Sequence, residues 1–316
     1  MKTLAPIALF VYNRPQLTEQ TLQALSKNEL ANESLLYVFA DGPKNKATQD
    51  ELEKIAEVER VVKSKPWAKE IIFIKSSINK GLAQSVVAGI TQIVTQHGRV
   101  IVLEDDILTS PYFLAFLNDG LEVYKNQSNV YAINSYMFPV ETKEITTFLS
   151  PIATTSWGWA TWADRWGCFQ LEPSDKKLIQ ENTVISTRFN LGRHCHSYML
   201  DNLNSWAIRW YYSVFARNGL GLFPSKSLSL NIGFGESATH TKKEFMQMEL
   251  YNHPIPVALQ SEINFKYLDL IIHYFEIRHQ TDHMKSSKSS GGKRSGLKLI
   301  IKKICIRIQS SMWHNC

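Results

Sequence analysis

Apolar runs that end in polar residues alternate with amphipathic stretches through the first hundred residues of the chain. Continuous apolar runs are typical of strands that are buried on both faces, and the four predicted strands lie at residues 7–11, 35–40, 71–75 and 100–103. The stretches between them have helical spacing, at residues 17–26, 48–62 and 79–96. Strands and helices in this alternation predict successive βα units around a mostly parallel sheet.

The pattern changes after Pro111. Further helices are predicted at residues 112–124 and 205–218, and short strands at 130–134 and 220–223. Much of the remainder is rich in loops and tryptophan, and a glycine-bearing loop at 231–240 closes the region. We therefore expect an α/β fold with a mostly parallel central sheet flanked by helices, divided into a first half at 1–155 and a substrate-specific half at 156–282.

Composition and charge restrict the partners. The chain has 316 residues, of which 44% are hydrophobic, enough for a real core. Its formal charge is +6, but eight of the 35 basic residues follow Asp282, and the remaining 27 are slightly outnumbered by the 29 acids. The excess of positive charge therefore lies in a C-terminal tail rather than on a binding face, so no nucleic-acid partner is expected.

That tail, residues 283–316, has two predicted parts. Residues 286–296 have the composition of a flexible linker, and residues 297–308 place isoleucine and leucine opposite lysine and arginine. Such a helix is typical of an anchor to an anionic membrane surface, although a solvated tail or a helix docked on the body remains an alternative.

Cysteine usage and hydropathy favour a cytoplasmic protein. The four cysteines show no CxxC pairing, so neither a zinc site nor secretory disulfides are expected. The apolar run near the N-terminus fits a first strand better than a signal peptide, and no run approaches the ~20 residues of a spanning helix. With the basic tail, this predicts a peripheral protein at the inner face of the plasma membrane.

Three consecutive carboxylates, Glu104, Asp105 and Asp106, follow the fourth predicted strand. Open α/β folds bind ligands at the carboxyl edge of the sheet, and like charges this close require a cation, a base or a proton. Oxygen ligands favour Mg²⁺ or Mn²⁺, commonly shared with substrate phosphates. An ordinary exit from strand to loop is the alternative.

Four motifs in order resemble those of GT-A-fold nucleotide-sugar glycosyltransferases. The segment from Val100 to Phe113 resembles their metal-binding segment, especially in the N-acetylglucosaminyltransferase I-like group and bacterial family 2-like enzymes. Phe10 to Pro15 resembles their first-strand motif, Ala40 to Pro43 their second-strand end, and Asn79 to Ala83 the element before a helix that flanks the donor. The resemblance covers residues 5–120 and implies a GT-A-like, Rossmann-like fold.

The resemblance and the charge chemistry together give candidate roles. Donor-binding candidates are Tyr12, Asn13, Arg14, Asp41, Lys80, Glu104 and Asp105. Asp106 is the candidate metal ligand, with His240 as a further ligand because GT-A enzymes often supply a late histidine. A divalent ion there would neutralise the donor diphosphate, and Lys80 would add a cation. For Asp41 and Lys80 the alternatives are a simple turn and a solvated side chain.

The acceptor and the general base are less sharply indicated. Trp157, Trp159 and Trp206 are candidates for an acceptor wall, with packing in the core as the alternative. Glu236 and Asp201 are candidate bases that would deprotonate the acceptor hydroxyl. Here the chain departs from the N-acetylglucosaminyltransferase I-like group. In that group an acidic pair that contains the base follows a tryptophan at the start of a helix. At the corresponding place, after Trp206, this chain has Ala207 and Ile208.

The resemblance implies an enzyme that transfers a hexosyl or N-acetylhexosaminyl group from a UDP-sugar to a glycan or lipid-linked saccharide, with inversion and a divalent metal, in bacterial surface polysaccharide synthesis. One alternative is a sugar-1-phosphate nucleotidyltransferase, although these enzymes usually have a glycine-rich first loop and residues 10–15 contain no glycine. The other is a non-catalytic, membrane-tethered carbohydrate-binding protein.

Overall fold

The computed structural model of the chain describes residues 3–174, 176–191, 199–200, 205–233 and 249–289, with backbone only beyond residue 278. The chain divides into two compact units, Met1–Phe275 and Glu276–Cys316. Both predicted halves, up to residue 275, lie within the first unit, so the division at residue 155 stays a prediction.

The described strands are β1 (Ile7–Val11), β2 (Leu35–Ala40), β3 (Glu70–Lys75), β4 (Arg99–Glu104), β5 (Ile107–Thr109), β6 (Val130–Asn134), β7 (Thr147–Ser150), β8 (Trp159–Trp162), β9 (Leu220–Pro224) and β10 (Ser229–Asn231). The described helices are α1 (Pro15–Ser26), α2 (Gln49–Lys63), α3 (Leu82–His97), α4 (Phe113–Val123), α5 (Ala163–Trp166), α6 (Lys176–Glu181), α7 (Thr183–Asn190), α8 (Trp206–Phe215) and α9 (Phe265–Ser289), with a 3₁₀ turn at Ala31–Glu33.

Eight of these strands form one central sheet in the order β3-β2-β1-β4-β8-β6-β9-β7, and β10 pairs with β5 in a small second sheet. The first four neighbours are parallel, as predicted, whereas β8 is antiparallel to both β4 and β6. The α/β class and the central sheet flanked by helices are confirmed. The sheet is mixed beyond β4, because β8 enters it in the opposite direction.

Both faces of the sheet are covered, which explains the continuous apolar runs. Ile7 and Leu9 pack on one face with residues of α1, α2 and α4. Ala8 and Phe10 pack on the other face with residues of α3 and α8. Burial of each such leucine or isoleucine contributes roughly 1.5–3 kcal/mol, so the parallel strands form the stable base from which the loops at their ends project.

The predicted elements of the first half are confirmed within one to three residues. α1 begins at Pro15, whose fixed φ suits a first helical position, and Thr48 and Glu51 form a capping box before α2. The sequence reading missed the short strands β5, β7, β8 and β10 and the helices α5, α6, α7 and α9. Several of these span only three or four residues, too few to display a period.

One expectation about the tail is corrected. Residues 286–289 were expected in a flexible linker, but α9 continues through them to Ser289. Serine and lysine tolerate a helix, and the glycines at 291–292 come only afterwards. The predicted basic helix at 297–308 lies outside the described residues. None of the described helices combines the length and the apolarity that crossing a bilayer requires.

Gly158 fixes the loop that precedes β8. Its φ is +86°, and a Cβ placed there would lie 2.7 Å from Ser135 Oγ and 2.8 Å from the Phe113 ring. We expect Gly158→Ala to lower the free energy of unfolding by about 1–2 kcal/mol, measured by urea denaturation. Gly167→Ala is the matched control, because Gly167 has a helical φ of −56° and its Cβ would meet only atoms at 3.5 Å or beyond. Equal free energies of unfolding for the two variants would contradict the prediction that a Cβ at position 158 is strained.

Candidate active site

The ends of β1, β2 and β4 meet at one edge of the sheet and line a cavity of 570 Å³. Ligand sites in proteins commonly measure ~300–1,000 Å³, so this volume suits a small organic ligand. The sequence-predicted residues that the structure brings together here are Tyr12, Asn13, Arg14, Asp41, Glu104 and Asp105. The predicted crevice at the carboxyl edge is therefore present.

Within this site, Arg14 compensates the acidic cluster. Its Nη1 donates to Asp106 Oδ2 at 2.9 Å, and its Nη2 donates to Asp105 Oδ1. The Arg14 side chain is 22% exposed, whereas those of Asp105 and Asp106 are 3% and 11% exposed. Charge-assisted pairs with this little solvent are among the strong polar contacts in proteins. In the folded chain this guanidinium supplies positive charge to two of the three acids, Asp105 and Asp106.

The charge balance of the cluster perturbs its protonation. Burial raises the pKa of Glu104 to about 8, and repulsion from Asp106 and Asp105 adds to the effect. Burial likewise raises the pKa of Asp105 to about 6, although Arg14 opposes the shift. Burial lowers the pKa of Arg14, but the two aspartates outweigh it and raise the pKa overall. Perturbed carboxyl groups in a cleft are typical of functional sites.

A second segment approaches Asp106 from β10. Strand β10 pairs with β5 so that Asn231 lies opposite Ile107, and Asn231 Nδ2 donates to Asp106 Oδ1 at 3.3 Å. The following loop passes so close that a Cβ on Gly233 would lie 2.1 Å from Asp106 Oδ2. Only glycine permits this approach. Asn231 was not predicted as a site residue. The glycine-bearing run from Asn231 to Gly235 is the sequence feature that could have indicated a close approach of this loop to the site.

The donor atoms around Asp106 fit a hard divalent cation. Asp105 and Asp106 supply carboxylate oxygens, Asn231 has an amide, and Mg²⁺ is commonly held by one or two carboxylates together with substrate phosphates. Among the described residues, no three histidine, cysteine or acidic side chains are grouped to hold a metal ion by themselves. A metal at this site would complete its coordination with water, with substrate phosphate or with residues outside the described ranges.

Asp41 organises the adjacent loop. Its Oδ1 accepts from the backbone N–H groups of Lys80 at 2.8 Å and Gly42 at 3.0 Å, and its Oδ2 accepts from Gly81 at 2.9 Å. Asn79 Nδ2 donates to the Gly42 carbonyl at 2.9 Å, which ties the two loops together. The motif around Asp41 and the motif around Gly81 are thus one structural unit.

Lys80 is placed differently from the expectation. Its exposed side chain lines a small neighbouring cavity of 90 Å³ between the ends of β2 and β3, and it is absent from the lining of the larger cavity. Its backbone N–H donates to Asp41 Oδ1 at 2.8 Å. The phosphate contact of the Lys80 ammonium group stays a prediction.

Other cationic and aromatic groups in the cavity were missed by sequence reasoning. Lys44 and Lys54 lie in its lining, and the N-terminus of α3 reaches it at Gly81 and Leu82. A helix N-terminus carries partial positive charge and suits phosphate groups. Phe10 and Phe39 stack at 5.2 Å and supply an aromatic surface. Phe10, Gly81 and Leu82 belong to motifs noted in the sequence. Lys44, Lys54 and Phe39 lie outside them, because their roles depend on which loops converge.

The predicted acceptor tryptophans divide into two groups. Trp159 is fully buried and stacks on Trp206 and Trp210 at 5.8 Å and 5.7 Å. Our expectation that Trp159 contacts an acceptor is therefore corrected, because its ring is enclosed by other aromatic side chains of the core. Trp157 and Trp206 do line a second cavity, of 270 Å³.

Three predicted residues lie outside the described ranges. They are the candidate bases Asp201 and Glu236 and the candidate metal ligand His240. Glu236 and His240 follow Gly233 by a few residues, and Gly233 is in contact range of Asp106. Their roles stay predictions.

No protein-family model matches this chain. No curated protein matches it either. Among solved structures, a mannosyltransferase from Pyrobaculum calidifontis in complex with GDP-Man and Mn²⁺ is similar at 14% identity and a TM-score of 0.40, with 69% of this chain and 75% of that chain covered. Residues 1–349 of TarS from S. aureus are similar at 10% identity and a TM-score of 0.41, with 72% of this chain and 60% of that chain covered.

A UDP-glucose pyrophosphorylase complexed with UDP-glucose is similar at 7% identity and a TM-score of 0.37, with 70% of this chain and 90% of that chain covered.

Proposed function

We propose that the chain is a glycosyltransferase that transfers a hexosyl or N-acetylhexosaminyl group from a UDP-sugar to a hydroxyl group of a glycan or lipid-linked saccharide. The observation that carries the proposal is the convergence of the ends of β1, β2 and β4 on one 570 Å³ cavity lined by Arg14 and Asp105, in which Arg14 also binds the buried Asp106. This is the arrangement that the four resembling motifs imply. It requires residues from three separate parts of the chain.

The cavity has the chemistry of a nucleotide diphosphate site. The N-terminus of α3, Lys44 and Arg14 provide positive charge for a diphosphate, and the stacked Phe10 and Phe39 provide apolar surface for a base or ribose. Tyr12 and Asn13 lie in the loop directly after β1 and line the same cavity. We assign these residues to the donor.

In this proposal Asp105 and Asp106 hold Mg²⁺ or Mn²⁺ together with the donor diphosphate, and His240 is a further ligand. When bound, the ion supplies Lewis-acid stabilisation of the departing nucleotide. Arg14 binds one oxygen of each aspartate, so a metal on these carboxylates would compete with it, and the Arg14 guanidinium would then be available to the donor phosphates. Its bidentate guanidinium suits that second partner equally well.

We further propose that the reaction inverts the anomeric carbon, since a single in-line displacement needs only one general base and no covalent intermediate. Glu236 and Asp201 are the candidate bases. The position of Gly233 against Asp106 supports Glu236, because the chain enters the site three residues before it.

The basic tail supports the proposed acceptor and the proposed location of the enzyme in the cell. A basic amphipathic helix at 297–308 would hold the enzyme at the inner face of the plasma membrane, where lipid-linked saccharides of bacterial surface polysaccharides are extended. The proposed partners are therefore a nucleotide-sugar, a lipid-linked saccharide and an anionic membrane surface.

Metal-dependent turnover of a UDP-sugar panel tests the proposal. We expect slow hydrolysis of at least one UDP-sugar in MnCl₂, lost in EDTA, and Asp106→Asn is expected to lower it by about tenfold or more because a metal ligand is removed. Asp119→Asn, on the exposed face of α4, is the matched control and should retain full turnover.

The other outcomes distinguish the rival classes. Turnover of a sugar 1-phosphate with UTP, in place of hydrolysis, would identify a nucleotidyltransferase. Sugar binding without any nucleotide binding would identify a carbohydrate-binding protein. Hydrolysis that is equal in the parent and in Asp106→Asn would contradict the metal assignment.

A further inference from the structure

The 270 Å³ cavity opens at the same edge of the sheet as the donor cavity. Trp159 at the start of β8 pairs with Val102 of β4, so the residues just before Trp159 lie beyond the end of β4. Asn134 at the end of β6 pairs with Trp159, so the residues after Asn134 reach this edge as well. Neighbouring strands lie ~4.8 Å apart, so the start of β8 and the end of β6 lie roughly 5–10 Å along the edge from the end of β4.

The lining of this cavity, which we call the aromatic cavity, combines rings with hydroxyl groups. The rings belong to Tyr136, Phe138, Trp157, Trp206, Tyr211 and Phe275, and the hydroxyl side chains to Thr154, Thr155 and Ser156. Among the described residues that line it, none carries a formal charge. The donor cavity, by contrast, is lined by lysines, an arginine and acids.

The walls of the aromatic cavity are held in place by contacts behind them. The Thr155 N–H donates to Asn134 Oδ1 at 2.8 Å, and Ser135 Oγ donates to the Gly158 carbonyl at 2.7 Å. The Trp157 ring meets the Tyr136 ring edge-on at 4.4 Å. A site whose rings are fixed before binding loses little conformational entropy when a ligand enters.

We propose that the aromatic cavity binds the terminal sugar of the acceptor and that this sugar is an uncharged pyranose. The inference rests on the proposed glycosyltransferase function and adds the substrate class. A pyranose has an apolar C–H face that suits the rings and hydroxyl groups that suit Thr154, Thr155 and Ser156. The volume accommodates one ring.

Two other occupants fit less well. A carboxylate or phosphate would lose its hydration without meeting a cation among the described lining residues, which costs several kcal/mol. Thr154 Oγ1 donates to the Thr155 carbonyl at 3.1 Å, and Thr155 Oγ1 donates to Asn134 Oδ1 at 3.4 Å, so the lone pairs of both hydroxyl oxygens can accept from a ligand. An acyl chain has no donor for them. The chemistry of the lining therefore favours a neutral sugar over both.

Saturation-transfer difference NMR with methyl glycosides tests the inference on the full chain in UDP and MgCl₂. The panel contains methyl glucoside, methyl galactoside, methyl N-acetylglucosaminide and, as the charged counterpart, methyl glucuronide. Ala207→Leu adds bulk inside the aromatic cavity near the start of α8, and Ala216→Leu adds the same bulk at an exposed position after its end. UDP affinity is measured in parallel by calorimetry.

We expect at least one neutral glycoside to bind, a tenfold or greater loss of its affinity in Ala207→Leu, and unchanged UDP affinity in both variants. Glucuronide that binds as well as the neutral glycosides, or an Ala207→Leu variant that binds them normally, would overturn the inference. So would weaker binding of UDP-sugar but not of UDP in Ala207→Leu, because the cavity would then hold the donor sugar.

The two levels of the proposal fail differently. A protein that binds UDP but no glycoside refutes the aromatic cavity as an acceptor site and leaves the glycosyltransferase assignment intact. A protein that binds neutral glycosides in the aromatic cavity but no nucleotide refutes the glycosyltransferase assignment and supports a carbohydrate-binding protein.

Discussion

Replacement of Arg14 by alanine is expected to lower the free energy of unfolding by about 3 kcal/mol when divalent ions are absent. The reason is the isolation of Asp105 and Asp106, whose side chains are only 3% and 11% exposed and lose their common cation. Removing one partner of a buried ion pair costs more than the pair itself contributes, because the remaining charge stays desolvated. Urea denaturation in EDTA measures the effect.

The same variant should respond more strongly to metal. MgCl₂ or MnCl₂ is expected to restore most of the lost stability of Arg14→Ala, because an ion that binds the folded state stabilises it by mass action and now meets no competing guanidinium. The parent should gain less from the same concentration. UDP affinity in metal should nevertheless fall about 100-fold, since the diphosphate loses a bidentate partner.

Arg60→Ala provides the control for the Arg14 experiment. Arg60 is an exposed arginine on α2 that pairs with Glu57, and such surface pairs contribute ~1 kcal/mol or less. Arg14→Ala that unfolds at the same urea concentration as Arg60→Ala would show that the aspartates do not depend on the guanidinium. Equal metal responses in Arg14→Ala and in the parent would contradict the competition between Arg14 and the ion.

The sequence was informative where one local pattern determined one element. The apolar runs at 7–11 and 100–103 predicted β1 and β4, and the polar residues after them marked the edge where the cavity lies. β8 escaped prediction because it has only four residues, Trp159–Trp162, and directly follows a tryptophan-rich loop. Its strand conformation depends on pairing with β4 and β6 rather than on its own pattern.

The partners of the site residues were harder to predict than the residues themselves. Arg14 and Asp106 were both candidates, but their ion pair joins positions 92 residues apart, and spacing along the chain gives no indication of it. Trp157 and Trp159 illustrate the same limit. They are two residues apart in the sequence. Trp157 precedes β8 and lies in a cavity wall, whereas Trp159 begins β8 and is buried in the core.

Replacement of Asp41 is expected mainly to destabilise the fold and to disorder the loop at residues 79–81. Asp41→Ala removes the acceptor of three backbone N–H groups, those of Gly42, Lys80 and Gly81. Hydrogen bonds to a charged group contribute ~1.5–3 kcal/mol each in favourable cases, and water can replace part of them in a loop, so we expect a net loss of about 2–3 kcal/mol. UDP affinity should fall at least tenfold, because Gly81 lines the donor cavity.

A graded pair of variants separates this role from a direct donor contact. Asp41→Asn keeps one acceptor oxygen but places an amide N–H₂ near a backbone N–H, so its stability should lie between those of the parent and Asp41→Ala. Asp119→Asn, at an exposed acid of α4 outside the donor cavity, is the control and should change little. Hydrogen exchange of the Lys80 and Gly81 amides gives the decisive readout. Faster exchange in both Asp41 variants without UDP identifies an aspartate that orders the loop, whereas unchanged exchange together with weaker UDP binding would make it a donor ligand only.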